Sequence, residues 1–291
     1  MSFQGTKINP KKFDKSQIKF YLYLIPLALF MLLPILYIFS HAFKPVNELF
    51  AYPPKLFVLR PTLDNFRDLF KQTSASGIPF SRYLFNSILI TTIGVTLTII
   101  LLSMSGYALS KIKFRLKKAL FEINQVALMF VGTAVTIPSF IVIIKLGIGD
   151  TYLAHLLPIL ALPVGLFLVK QFIDQVPDSL IEAAKLDGAS EFQIYRHVIL
   201  PIIKPALATV GILAFQRFWN DTLTSNLYID DESKKTLAFF LTTVSSNVSN
   251  NPIAGRGMQA AASLLMFLPN LIIFIFIQNK VMDTMAHSGI K

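Results

Sequence analysis

The chain of 291 residues has no cysteine, a single tryptophan and only 15% charged residues. Without cysteine it has no thiolate metal site, disulfide framework or thiol nucleophile, and its redox compartment is left undefined. Soluble domains carry about 25% charged residues, so a chain this long has too little polar side chain to cover a water-facing surface. That argues against a soluble enzyme. No Gly-x-x-x-x-Gly-Lys phosphate loop occurs, so ATP has no seat of that kind here. His41, His155, His197 and His287 fall in separate segments without metal-ligand spacing, and nothing singles out a Ser-His-Asp triad. No catalytic residue and no metal site is expected. Fixed-period repeats, Gly/Ser linkers and low-complexity tracts are missing too.

What the chain has is apolar length: 54% of its residues are hydrophobic, including 26 Phe. Runs long enough for a bilayer, about 20 residues each, occur near Phe20–Phe43, Tyr83–Ser103, Ala119–Leu146, Tyr152–Val169, Pro205–Ile229 and Ala261–Met282. An all-α membrane protein with six transmembrane helices is expected. Pro26, Pro34, Pro138, Pro158, Pro163 and Pro269 lie inside these runs and predict kinks, which a helix bundle tolerates. The loops Lys44–Arg82 and Asp230–Arg256 read as irregular polar covers, the second with an Asn/Ser-rich stretch at Ser245–Asn251.

The net charge of +11 is placed at helix flanks. Lys7, Lys11, Lys12, Lys15 and Lys19 precede the first run, and Lys111, Lys113, Arg115, Lys117 and Lys118 follow the second. By the positive-inside rule both termini are cytoplasmic. The lysine-rich start also has the outline of a signal peptide, but its apolar run exceeds the usual core of about 7–15 residues, so the first span is retained. Nucleic-acid binding is discarded because the cations form no aromatic-interleaved stripe. The expected organisation is a cytoplasmic segment, residues 1–19, and a single transmembrane domain, residues 20–291.

Between the fourth and fifth runs lies an element of another kind, residues 177–201. Ser179 with Glu182 and Ser190 with Gln193 each have capping-box spacing, and Gly188 between them can end the first helix. Leu180, Ala183, Ala184 and Leu186 give the first helix an apolar, small-residue face. Phe192, Tyr195, Val198 and Ile199 give the second a stripe, with Pro201 and Pro205 expected to stop it. A packed surface hairpin is the plain alternative, but a mere connection needs only a few residues. The surplus of Asp174, Asp178, Glu182, Asp187 and Glu191 over cations would repel nucleic-acid phosphate, so a protein partner is favoured.

The pattern Glu182-Ala183-Ala184, then Asp187-Gly188, then Val198-Ile199-Leu200-Pro201 resembles the hallmark loop of the membrane subunits of binding-protein-dependent ABC importers. Val198 stands where that family usually has Ile. Gly106–Ser110, Phe215 with Trp219-Asn220-Asp221, and the end Thr284–Lys291 resemble the carbohydrate, maltose-type branch. The resemblance implies a permease subunit of an ATP-driven importer, with Glu182, Ala183, Ala184, Asp187, Gly188, Leu200 and Pro201 in a coupling loop. It also implies a homologous second permease, a cytoplasmic ATPase dimer carrying ATP and Mg, and an extracytoplasmic solute-binding protein. No cofactor is expected on this chain.

Gln216, Arg217, Trp219, Asn220 and Asp221 are the candidates for a solute path, because ionisable and amide groups at membrane depth are costly unless they face a partner or water. Arg217 and Asp221, four apart, could equally form an ion pair on one helix face. Glu122, Asn124 and Gln125 read as the interfacial start of the third span. A sugar is the expected solute, with a peptide or other small solute as the alternative. A self-contained channel or secondary transporter would ordinarily show inverted repeats or a midplane carboxylate, and neither is evident.

Overall fold

The first apolar run forms α1, Ile18–Phe43. None of its most apolar stretch is buried within the chain, so its Leu, Phe and Tyr side chains are left for lipid or another chain to cover. The computed structural model describes residues 17–71, 77–248 and 252–288. Lys7, Lys11, Lys12 and Lys15, residues 249–251 of the Asn/Ser stretch and residues 289–291 lie outside them. Among the described residues the structure is helical and contains no strand.

After α1 come α2 (Val46–Leu49) and α3 (Asp64–Lys71), then α4 (Phe80–Lys111), α5 (Lys117–Ala127) and α6 (Thr136–Lys145). Next are α7 (Tyr152–Leu160), α8 (Pro163–Asp174), α9 (Asp178–Leu186), α10 (Glu191–Ile194) and α11 (Leu200–Ile202). The chain ends with α12 (Lys204–Trp219), α13 (Leu223–Leu227), α14 (Leu237–Val248) and α15 (Pro252–Ser288). Among the described residues three helices are long and apolar enough to cross a membrane on their own: α1, α4 and the Gly255–Gln278 part of α15. Three further pairs reach that length only across a bend: 112° between α5 and Gly132–Lys145, 48° between α7 and α8, and 80° between Glu191–Ile202 and Lys204–Leu227.

The third and fourth apolar runs are therefore not continuous helices, and the fifth, whose bend precedes it, is interrupted at residues 220–222 between α12 and α13. Pro163 opens α8 at the fourth-run break, where its ring and missing N–H prevent continuation. The third run instead breaks at residues 128–131, which contain no proline. Pro26, Pro34, Pro158 and Pro269 sit inside helices. The two loops are also less irregular than expected, since the first contains α2 and α3 and the second contains α14. In α14, Leu237, Ala238, Phe240, Leu241 and Val244 are buried at the spacing of one helix face.

The chain divides into two compact units, one of residues 1–69 with 247–264 and one of residues 70–246 with 265–291. In the first, buried Asn65 donates to the carbonyls of Ala42 at 2.9 Å and Lys44 at 2.8 Å, satisfying carbonyls that the end of α1 leaves open. Glu48 accepts the N–H groups of Leu59 and Arg60, each at 3.0 Å.

In the second unit α4 packs against α8 and α12. The contacts are close because small residues stand at them, as in other membrane helix pairs. A Cβ on Gly94 would lie 2.4 Å from the Phe218 ring, and one on Gly106 would lie 2.7 Å from Val169. Leu102, Tyr107, Val169, Ile173, Ile194, Ile199 and Val210 share one buried cluster.

The Phe80 end of α4 is tied to residues 232–237. Asn86 Nδ2 donates to the carbonyls of Ser233 and Lys235 at 2.9 Å, Tyr83 Oη donates to Glu232 at 2.9 Å, and Ser87 Oγ accepts the Leu237 N–H at 2.8 Å. Asp150 accepts the Asp231 N–H at 2.9 Å and the Lys234 ammonium at 3.0 Å. These two contacts, the backbone N–H first, hold the Asp150 carboxyl below its ordinary value.

Candidate functional site

The chain leaves α8 at Pro177, which sits at the N-cap of α9. Ser179 is consequently already inside the helix, so the box expected between Ser179 and Glu182 does not form, and Glu182 lies in the second turn rather than the first. The end of α9 follows the expectation. Gly188 has φ +79°, Ala189 N–H donates to Ala184 O at 2.9 Å, and Gly188 N–H donates to Lys185 O at 3.0 Å. This pair of bonds is a Schellman motif. The second box is present: Gln193 N–H donates to Ser190 Oγ at 3.4 Å, and Ser190 N–H donates to Gln193 Oε1 at 2.7 Å.

Beyond α10, Tyr195–Ile199 is a π-helical turn in which Leu200 N–H donates to Tyr195 O. Pro201 does not stop the helix there. The wider turn accommodates a residue that has no N–H to give, and helix continues through Ile202. Pro205, in the first turn of α12, follows the 80° bend that turns the hairpin off the next segment.

One side of the hairpin is fastened to α4 and α8. Ile181, Ile194 and Ile199 are buried in the central cluster. Tyr107 Oη donates to Glu191 Oε2 at 2.6 Å, Lys185 pairs with Glu191 Oε1 at 2.7 Å, and the Ser103 and Tyr195 hydroxyls lie 2.7 Å apart. Lys111 Nζ donates to Val176 O at 2.6 Å and Asp178 Oδ1 at 2.7 Å, which holds the Asp178 carboxyl below its ordinary value. In the sequence Lys111 stands in a basic flank and Asp178 in an acidic loop. Nothing local announces that residues 67 apart would join.

The other side is open. Glu182, Ala183, Asp187 and Gly188 are exposed and Ala184 is half-buried, while Leu186 is 90% exposed and Phe192 58%. A cavity of about 350 Å³ lies between the two helices, lined by Ala184, Asp187, Gly188, Gln193 and His197 among others. In the closing motif, Leu200 is half-buried and Pro201 exposed.

The fifth-run candidates separate into two groups. Trp219 is buried, donates from Nε1 to Met266 O of α15 at 3.2 Å, and stacks on Phe215 at 5.7 Å between ring centroids. Its surroundings are those of a packing residue. Asp221 accepts the Thr224 N–H at 3.1 Å, joining α12 to α13, and also accepts the Thr224 hydroxyl. Arg217 donates to Ala161 O at 3.0 Å, satisfying a carbonyl at the break before Pro163. Among the described residues no ion pair joins Arg217 to Asp221. Gln216, Arg217 and Asn220 are exposed on the chain, and Asn220 Oδ1 accepts Asn270 Nδ2 at 3.3 Å. Buried His155 lies 2.7 Å from the Thr224 hydroxyl and 3.2 Å from Lys234 O.

Residues 103–281, from the Ser103 contact through the hairpin and into α15, match the family model described as the binding-protein-dependent transport system inner membrane component. The chain is similar to the putative ABC transporter permease protein ORF2 of Caldicellulosiruptor sp. (strain Rt8B.4), with 30% identity across 92% of this chain and 96% of that one. It is also similar to the arabinooligosaccharides transport system permease protein AraQ of Halalkalibacterium halodurans, with 29% identity across 91% and 93%. In fold it is similar to a chain in the crystal structure of a bacterial ABC transporter involved in the import of the acidic polysaccharide alginate. The TM-score there is 0.78 at 23% identity, covering 93% of this chain and 99% of that one. With the family model covering well over half its length, the chain belongs to the inner-membrane permease components of binding-protein-dependent ABC transport systems.

Proposed function

We propose that the protein is one of two homologous membrane subunits that import a sugar or oligosaccharide, coupled to an ATPase dimer through the hairpin at residues 177–201. The observation that carries the coupling reading is the hairpin's two-sidedness: one face fastened to α4 and α8, the other carrying exposed Glu182, Ala183, Leu186 and Phe192. ATP and Mg belong to the ATPase, and the solute arrives on an extracytoplasmic binding protein. α1, α4, α15, the first two bent pairs and the segment Lys204–Leu227 form six spans of a single permease domain, residues 20–291, in a prokaryotic cell membrane. Residues 1–19 and the hairpin lie on the cytoplasmic side. The arabinooligosaccharide relative supports a carbohydrate as solute, and exposed Gln216, Arg217 and Asn220 offer amide and guanidinium partners for its hydroxyls.

The test uses the assembled transporter in vesicles. Arabinose- and galacturonate-based oligosaccharides, simple sugars and peptides are compared as competitors of ATP-dependent uptake, while Ala184→Trp is scored for ATPase retention. The reading expects sugar competition and loss of ATPase binding. Competition by peptides alone removes the sugar assignment, and full ATPase retention with normal coupling removes the hairpin assignment. Orientation is read separately with single cysteines, for which the native chain supplies a clean background. An impermeant thiol reagent applied outside should label Asn247→Cys and not Lys117→Cys.

A further inference from the structure

The turn between α4 and α5 divides its cations. Lys111 is committed to Val176 O and Asp178, and Lys117 Nζ donates to Ser110 O at 2.8 Å. Lys113 and Arg115 are exposed and make no ion pair among the described residues. Lys118 is 91% exposed, with only Glu122 at 3.8 Å. A contact so exposed and so long contributes little. Three cations are thus left facing outward from a turn at the end of an apolar helix.

Helix α5 divides in the same way. One face packs on α8, where Phe121 stacks on Phe167 with 6.2 Å between centroids, Lys170 stands 4.5 Å from the Phe121 ring, and Asn124 donates to Pro163 O at 3.2 Å. The other face presents Leu116, Leu120 and Ile123, which are 61%, 47% and 64% exposed and spaced to form one stripe. Water is a poor neighbour for that stripe, and the cations at its head are a poor match for another apolar helix. A phospholipid satisfies both at once, because its phosphate and its acyl chain meet an interfacial helix in that order.

We propose that the turn at residues 113–118 binds the headgroups of anionic phospholipids, with Leu116, Leu120 and Ile123 in the acyl layer beneath them. The inference rests on the membrane reading above but not on which side the turn faces, since a nanodisc offers the same lipids on both faces.

The experiment places the assembled transporter, carrying Leu120→Cys labelled with a fluorophore, in nanodiscs of phosphatidylcholine and phosphatidylglycerol with one or the other brominated. Quenching by the anionic lipid should exceed its bulk share roughly fivefold, the factor one well-placed cation supplies at an anionic surface. The preference should disappear in the triple variant Lys113→Gln, Arg115→Gln, Lys118→Gln, which removes no ion pair among the described residues beyond the long, exposed contact of Lys118 with Glu122. Equal quenching by both lipids overturns the proposal, as does a preference that survives the triple variant. Absence of quenching by either lipid means that a partner subunit covers the stripe, and overturns it too. Outside labelling of Lys117→Cys with the lipid preference intact would remove the orientation and leave the lipid site standing.

Discussion

Gly188 carries a backbone conformation that other residues adopt at a cost, φ +79°, yet a Cβ there would meet nothing within 4 Å. Strain and crowding are therefore separable at this position. Gly188→Ala should cost about 1 kcal/mol, which the fastened inner face can absorb, while the angle between α9 and α10 changes. The expected outcome is an intact, membrane-inserted chain with weakened ATPase binding or ATP hydrolysis disconnected from uptake, read side by side on the purified complex. Wild-type values for all three would count against a role for the turn in coupling. Trp219 and Asn220 behave oppositely. Trp219→Ala removes a buried ring and its bond to Met266 O, a loss of about 3–5 kcal/mol for such truncations, and should lower the thermal midpoint in detergent. Asn220→Ala, at an exposed amide, should leave that midpoint within a degree or two of wild type and change uptake instead.

At the scale of elements, the contact between α4 and α12 depends on the absence of a methyl group at Gly94. Gly94→Ala drives a carbon into the Phe218 ring and should cost about 1–3 kcal/mol. Adding Phe218→Leu should recover part of that loss, which a double-mutant cycle on thermal stability will read. The same scale explains what the sequence revealed and what it concealed. Gly188 and the Ser190–Gln193 box were legible because their partners lie within six residues. The box at Ser179 does not form because the N-cap falls on Pro177, two residues too early for it. The bend at residues 128–131 was illegible, since no proline or glycine stands there. The fastening of the hairpin by Tyr107, Lys111 and Ser103 was equally hidden, because each partner is more than 60 residues away. Trp219 looked available to a ligand from its type and neighbours, and only its distance to Met266 O shows it in use.

For the whole molecule, α4 is a continuous rod of 32 residues, about 48 Å long at helical rise. Its Lys111 end holds the hairpin and its Phe80 end holds residues 232–237. The clasp that Asp150 forms with Asp231 and Lys234 belongs to the latter end. Because the Asp150 carboxyl titrates below its ordinary value of 3.8, its contribution is complete above that pH and is lost as pH falls through the lowered value. The difference in thermal midpoint between wild type and Asp150→Asn should be full at about pH 6 and shrink toward about pH 3. A difference that does not change with pH would show that the carboxylate charge contributes nothing there.

The π-helical turn at Tyr195–Ile199 has a consequence for how the hairpin is aimed. A π turn holds one residue more than an α turn, and each α-helical residue advances the chain by about 100° around the axis. Were the same residues wound as regular α-helix instead, everything on the far side would swing by about that angle. Ile194 and Ile199 could then no longer both face the core, and Gly188 would point away from its present heading. The azimuth of the hairpin is thus kept by the π turn, and deleting His197 would return the segment to regular α geometry with the two isoleucines four apart and still on one face.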